Sequence, residues 1–185
     1  MSEHETYVTP KFAQPHWAKA AYEILAETAG RYNAVITYSE LAEEVQRRSS
    51  LHTKSQMRNW ISSLLVDLVK VNHLREEPPL ASLVVRKDDG QVGAGYDEVL
   101  RISGESPIAD PLERETHAAA ARLECYRHWG ADVPADAEPT LSARARVVRA
   151  RTPVVRTAHV EARRGAVCPT CFMEMPVSGP CPNCD

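Results

Sequence analysis

Between Ile36 and Tyr96 the apolar positions follow first a helical period and then an extended one. Met57, Trp60, Ile61, Leu64, Leu65, Leu68 and Val69 recur at the spacing that lays one apolar stripe along an α-helix. Lys54, Ser55, Arg58, Asn59, Ser62 and Ser63 fall on the opposite face, and Thr53 with Gln56 offers a capping box at its start. The helix before it has Thr37 as N-cap, Glu40 at N3, and Leu41 and Val45 on one face. Between them QRRSSLHTKS is short and polar, so the two helices are expected to cross as a helix-turn-helix. Leu80 to Lys87 then reads as a β-branched strand, Asp89-Gly90 as its turn, and Gln91 to Tyr96 as a segment that pairs back, with Gly93 and Gly95 marking a bend or a close backbone approach. Two capped helices, a strand, a turn and a return predict a winged helix. A packed helix pair with a solvated polar face fits the helical half equally well.

A third helix is predicted from Pro15, where Trp17, Ala20, Ala21, Ile24, Leu25 and Thr28 form a stripe that Gly30 ends. Trp17 and Trp60 lie on stripes, which makes them core anchors. Residues 1–12 are polar and aperiodic and are read as a frayed arm. Beyond the turn, Arg101 to Ile108 reads as a loop. Asp110-Pro111-Leu112-Glu113 opens a helix that runs to Gly130, with Leu112, Ala119, Leu123, Tyr126 and Trp129 facing inward. Cys125 and His128 stand three apart, but two ligands do not make a zinc site, and a buried thiol beside a surface histidine is the simpler reading. No HExxH or repeated ExxH spacing joins Glu113, Glu115, His117, Glu124 and His128, so no catalytic centre is expected.

The segment ITYSELA, the polar loop, the amphipathic helix and DGQVGAGY together resemble the C-terminal winged-helix domain of the DNA-repair alkylguanine alkyltransferases and the non-catalytic alkyltransferase-like proteins. In that family a TY-G-x-(I/L)-A segment opens the helix before the recognition helix, and an arginine of the recognition helix enters the minor groove. A Pro-Cys-His-Arg box carries the acceptor cysteine, and a Gly-Gly-Tyr element closes the pocket. The matching positions here are Thr37 to Ala42, Arg58, and Gly95-Tyr96. The box is absent: PLASLVV places Ser82 about where the cysteine belongs, with Leu83 and Val84 in place of histidine and arginine. Alkyl transfer needs an activated thiolate. The resemblance therefore implies a fold, and a lesion sensor rather than a transferase.

Charge changes the picture through its distribution. The net charge of the 185 residues is −3, yet by count of Lys and Arg against Asp and Glu residues 47–87 carry +5 and 140–185 carry +4, while 1–46 carry −4 and 88–139 carry −8. Two local basic blocks are what a polyanion-binding face requires. Lys54, Ser55, Arg58 and Asn59 on the second helix are candidates for a groove, Arg86 and Lys87 for a wing, and Arg144, Arg146, Arg149, Arg151 and Arg156 for phosphates, each guanidinium fork matching an oxyanion pair. The same arginines are also suited to an intramolecular contact with the acidic block. Residues 131–143 are rich in Pro, Ala and acids and read as a linker. The Arg-rich run beyond it, broken by Pro153, reads as short extended strands. No apolar run approaches a membrane span or a signal peptide, so the expected setting is the cytoplasm, without a membrane.

The last motif is CPTCFMEMPVSGPCPNC, which pairs Cys168 with Cys171 and Cys181 with Cys184 at CxxC spacing. Two such knuckles present four thiolates to one tetrahedral ion, and zinc is the expected occupant. Iron in a rubredoxin-like site, or a redox or disulfide use, are the alternatives. Four thiolates leave zinc no open position, so the ion would be structural. The expected architecture is α+β: a winged helix over 12–100, a capped accessory helix over 101–130, an acidic linker over 131–143, and Arg-rich strands with a zinc ribbon over 144–185. The expected function is non-catalytic binding of duplex DNA, with a protein-interaction adaptor as the rival from another class. Protein purified under reducing conditions should carry one Zn²⁺ per chain by metal analysis, lost on Cys→Ser at any of the four positions. Iron, or no metal, would refute the zinc assignment.

Overall fold

The computed structural model describes residues 6–151, and Arg156 and the four cysteines of the predicted zinc site lie outside the described residues. The chain divides into two compact units, residues 1–151 and 152–185, of which the first is described here. Its architecture is α+β, mostly helical, with strands of two residues each. Helix α1 (Pro10–Ala29), α2 (Tyr38–Ser49) and α3 (Ile61–Leu74) pack around one apolar core. Strands β1 (Thr6–Tyr7) and β3 (Leu51–His52) pair in parallel, as do β2 (Ile36–Thr37) and β4 (Val84–Val85). Helices α4 (Asp97–Ile102), α5 (Pro111–His128) and α6 (Ala143–Arg151) complete the unit. No helix among the described residues is long and apolar enough to cross a membrane.

Local signals account for several boundaries. Thr37 caps α2 in a complete capping box: its hydroxyl accepts from Glu40 N at 3.3 Å while its own N donates to the Glu40 carboxylate at 2.8 Å. The bond from Thr37 N, with a second from the Thr37 hydroxyl at 2.7 Å, holds the Glu40 carboxyl below its ordinary range, because the charged acceptor is the form they stabilise. Asp110 caps α5, accepting from Leu112 N at 2.9 Å and Glu113 N at 2.8 Å, with Pro111 at N1. Trp17 and Trp60 stack at 4.3 Å in the centre of the three-helix core, as their stripes predict.

Other expectations are corrected. Helix α1 begins at Pro10 rather than Pro15, and Thr6–Tyr7 is tied down by β3, so residues 6–12 are not an arm. The helix expected from Thr53 starts only at Ile61. Thr53 bonds Ser55 N instead of closing a capping box, Met57–Asn59 is a single 3₁₀ turn, and Trp60 at φ −137° breaks the helical path so that its ring can reach Trp17. The predicted strand 80–87 is a 3₁₀ turn over Leu80–Leu83 followed by β4, and β4 pairs with β2 rather than with residues 91–96. Leu80 to Val85 are all buried, with Leu80, Leu83 and Val84 in the three-helix core and Ala81 and Val85 in a second cluster with Val69, Val92, Tyr96, Val99, Leu100 and Ala118. No strand returns to pair with it, because the chain after the turn goes into a 3₁₀ turn at Ala94–Tyr96 and then α4. What remains of the hairpin is one turn, closed by Arg86 N to Gln91 O at 2.8 Å and Gly90 N to Arg86 O at 2.9 Å. Arg101 and Ile102, the start of the segment read as loop, are the end of α4, and Leu112 is exposed rather than inward.

The segment read as a linker runs against the domain. Ala131 and Val133 pack on the main core, and Arg127 donates to Ala137 O at 3.2 Å. Ser142 is buried at its end. Residues 143–151 are the helix α6, not strands, because Ser142 supplies an N-cap: Ala145 N donates to its hydroxyl at 3.2 Å and Arg146 N to its carbonyl at 3.0 Å.

At the centre of this arrangement lies a charged pair. Glu115 and Arg122 are on α5, 0% and 2% exposed, and the guanidinium donates to the carboxylate. The Glu115 carboxylate also accepts from Val92 N at 2.9 Å and Ser142 N at 3.4 Å, and Arg122 donates to Ser82 O at 3.4 Å. Removing one member of a buried pair strands the other charge in a medium that solvates it poorly. Arg122→Met is expected to lower unfolding free energy by about 3–5 kcal/mol in urea titrations. Adding Glu115→Gln should recover part of that, since the amide is neutral and still accepts from Val92 N. A single variant as stable as wild type would sink this account.

Candidate nucleic-acid interface

The loop between α2 and α3 is short and held from three sides. Helix α2 ends at Ser50 in the left-handed region, φ 54°, and the chain passes at once into β3. Gln46 of α2 then bridges outward: its amide accepts from Thr53 N at 3.0 Å and donates back to Ala42 O at 2.9 Å. Lys54 sits 5.6 Å from the Tyr7 ring centre, a position that β1–β3 pairing provides. Ser55 is half-buried, and Arg58 and Asn59 are exposed on the 3₁₀ turn. Lys54, Ser55, Arg58 and Asn59 therefore stand ahead of α3 rather than along its face, which corrects their predicted placement. Arg58 and Asn59 directly precede the end of α3 where unpaired backbone N–H groups concentrate, Ser62 and Ser63 are exposed in its first turn, and no acid lies there.

The positive block at 47–87 is partly neutralised by the fold. Arg47 and Arg48 both bond Glu44, and Arg48 also forks onto Glu27 of α1 at 2.6 Å. The two guanidiniums draw the Glu44 carboxyl down to about 2. Arg86, predicted to be a free wing cation, is half-buried and paired with Asp89 across the turn. Lys54, Arg58 and Lys87 are exposed and make no ion pair among the described residues. Arg146, Arg149 and Arg151 on α6 are likewise exposed without a carboxylate partner among those residues, and Arg144 donates to the backbone carbonyl of Asp88 at 2.8 Å. The described arginines of the second basic block are thus not tied to acidic side chains.

Beside the first turn of α3 lies a cavity of about 460 Å³ lined by Tyr38, Ser62, Leu65, Val66, Arg86, Gly93, Ala94, Gly95 and Glu98. Tyr38 and the Gly93–Gly95 segment are 55 residues apart in sequence, and both belong to the motifs that carry the family resemblance. Burial raises the Tyr38 hydroxyl above its ordinary range, partly offset by its hydrogen bond with Gly93. Ser82 does not reach this cavity as a free nucleophile. It is fully buried, its hydroxyl 3.7 Å from the Cys125 sulfur, and burial pushes that thiol up to about 12. A thiol so protonated is inert at neutral pH, and His128 beside it in sequence is exposed, so the two form no metal pair.

The residues that sequence reading passed over are Arg122 and Ser142, and Glu115 was weighed there only as an acid or base candidate, not as one of a buried pair. Glu115 and Arg122 are seven apart, two helical turns on one face, on the same side as Ala118 and Ala119. That spacing was the available signal; only burial makes it a pair. Comparison with protein-family models, curated proteins and solved structures finds no match to this chain.

A Cβ at Gly93 would lie 2.8 Å from the Tyr38 hydroxyl oxygen and 3.5 Å from its ring, so a side chain there requires the Tyr38 ring to shift. Gly93→Ala is therefore expected to cost about 1–3 kcal/mol of stability. In combination with Tyr38→Phe, which removes the clashing oxygen, the cost should fall well below the sum of the two single changes. Strict additivity in that double-mutant cycle would argue against the contact.

Proposed function

We propose that this chain is a non-catalytic DNA-binding protein whose first unit is a winged-helix variant with its wing reduced to the turn Arg86–Gln91. One observation carries the reading. After the internal ion pairs of the first unit are set aside, Lys54 remains on the loop between α2 and α3, Arg58 just ahead of α3 and Lys87 on the turn, and Arg86 and Ser62 border one cavity, which brings the turn beside the first turn of α3. Exposed cations, amide and hydroxyl groups and a helix N-terminus on neighbouring segments suit a phosphate backbone with a groove between. Cys168, Cys171, Cys181 and Cys184 would hold one structural Zn²⁺ in the second unit, a reading supported by their spacing.

A second reading is favoured by the cavity itself. The residues of the alkyltransferase-like resemblance, Tyr38 with Gly93 and Gly95, line it together, while the acceptor box is missing and Ser82 is sealed away. An extruded base would be recognised there without transfer, as in a lesion sensor.

A titration with duplex DNA at two salt concentrations tests the first reading. About six phosphate contacts give a log–log slope near −5, and Arg58→Ala with Lys87→Ala should flatten it by about 2. No binding to any duplex at about 50 mM salt would leave a protein-interaction adaptor as the better account. Tighter binding to a duplex carrying an O6-alkylguanine than to its unmodified twin would select the lesion sensor.

A further inference from the structure

Helix α6 is seated on the turn that follows β4, and the joint sets the side chains of Ser142 and Arg144 on the backbone of that turn. Gly90, at φ +70°, packs so closely that a Cβ there would lie 2.6 Å from Ser142 Oγ, 2.7 Å from Arg144 Cβ and 2.9 Å from Ala145 N. The Ser142 hydroxyl donates to Gly90 O at 2.5 Å while accepting from Ala145 N, so one group caps the helix and pins it to the turn. Arg144 adds its bond to Asp88 O, and Ser142 N reaches Glu115.

The helix held this way is an unusual one. Its nine residues include four arginines and no acid, and only Ala145 is buried. At 100° per residue Arg144 and Arg151 lie along one flank of the buried edge and Arg146 and Arg149 along the other. Apolar burial gives this helix little reason to form, and like charges close together on it repel. Repulsion of that kind is relieved by a polyanion. Arg144 and Arg151 are about 10 Å apart along the axis at 1.5 Å per residue, a length that spans roughly three nucleotides of one strand at 3.4 Å each.

We propose that α6 is a phosphate clamp on the DNA backbone, held in register with the reading surface by the Gly90–Ser142 joint. This rests on the DNA-binding reading above and deepens it: α6 is a positioned element and not a basic tail, and Ser142 is a positioning residue. The ligand is the sugar-phosphate backbone flanking the groove that α3 faces, recognised without regard to sequence.

The experiment is a salt titration of binding to a 24-base-pair duplex by the full chain, comparing wild type with Arg146→Ala/Arg149→Ala/Arg151→Ala and with Ser142→Ala. The triple variant should flatten the log–log slope by about 2–3 at an unchanged melting temperature, since its side chains are exposed. Ser142→Ala, which leaves every arginine in place, should flatten it by at least 1, and Ser142→Thr, which keeps the hydroxyl, should flatten it less than Ser142→Ala does. A wild-type slope in the triple variant overturns the clamp. A wild-type slope in Ser142→Ala with a flattened triple variant overturns the positioned element in favour of a loose tail. Failure of the wild type to bind duplex at all would instead overturn the function proposed above, a distinguishable outcome. Should Ser142→Ala melt early, Arg144→Ala, which breaks only the side-chain bond to Asp88, is the second probe, and a slope change no larger than one lost contact there would also count against the joint.

Discussion

Everything that follows α3 depends on one buried carboxylate. Glu115 takes the Arg122 guanidinium, the backbone N–H of Val92 just after the turn, and the N–H of Ser142 at the end of the strap. These three come from parts of the chain that have no ladder or helix in common. A charge this deeply buried is tolerable only when all its lone pairs are used, so the same requirement that makes the pair expensive in isolation forces the turn, the strap and α5 into one arrangement. Arg122 extends the demand to Ser82 O in the doubly buried segment between the two clusters. The polar network therefore does what a sheet would do in a larger α+β unit.

The charge pattern of the surface is a second product of the fold. Blocks that look basic along the chain lose part of that character when Glu44 and Glu27 approach Arg47 and Arg48, and when Asp89 folds back on Arg86. Pairs this exposed add little stability, but they decide which cations remain for a ligand. Those left at the loop, the turn and α6 are the ones that make no ion pair among the described residues. The Glu27 and Glu44 carboxyls, in turn, are drawn below their usual range by the guanidiniums, so those pairs persist further into acid pH.

Where the pattern was local, it was legible. The Thr37–Glu40 box, the Asp110-Pro111 start, the helical stripes through Trp17 and Trp60, and the positive-φ turn at Gly90 each depend on atoms within a few residues of one another. The candidate site was legible in its residue types but not in its geometry. Lys54 and Arg58 lie on a loop and a 3₁₀ turn because Trp60 leaves the helical path to meet Trp17, 43 residues away, and propensity alone does not register that pull.

The amino-acid sequence by itself determined the helical stripes, the caps and the four-cysteine spacing, since each is a short-range pattern that water and backbone geometry read directly. Only the tertiary structure decided that Val84–Val85 would pair in parallel with β2 and that Leu80 to Leu83 would be a turn, because that depended on the segment being buried between two apolar clusters. It also decided that residues 131–142 would run as a strap against the domain and residues 143–151 of the Arg-rich stretch as a helix. An alternating run such as ARARVVRAR carries no apolar face of its own, so its conformation was set by Ser142 and Gly90, brought together from 52 residues apart by a carboxylate that neither one adjoins in sequence.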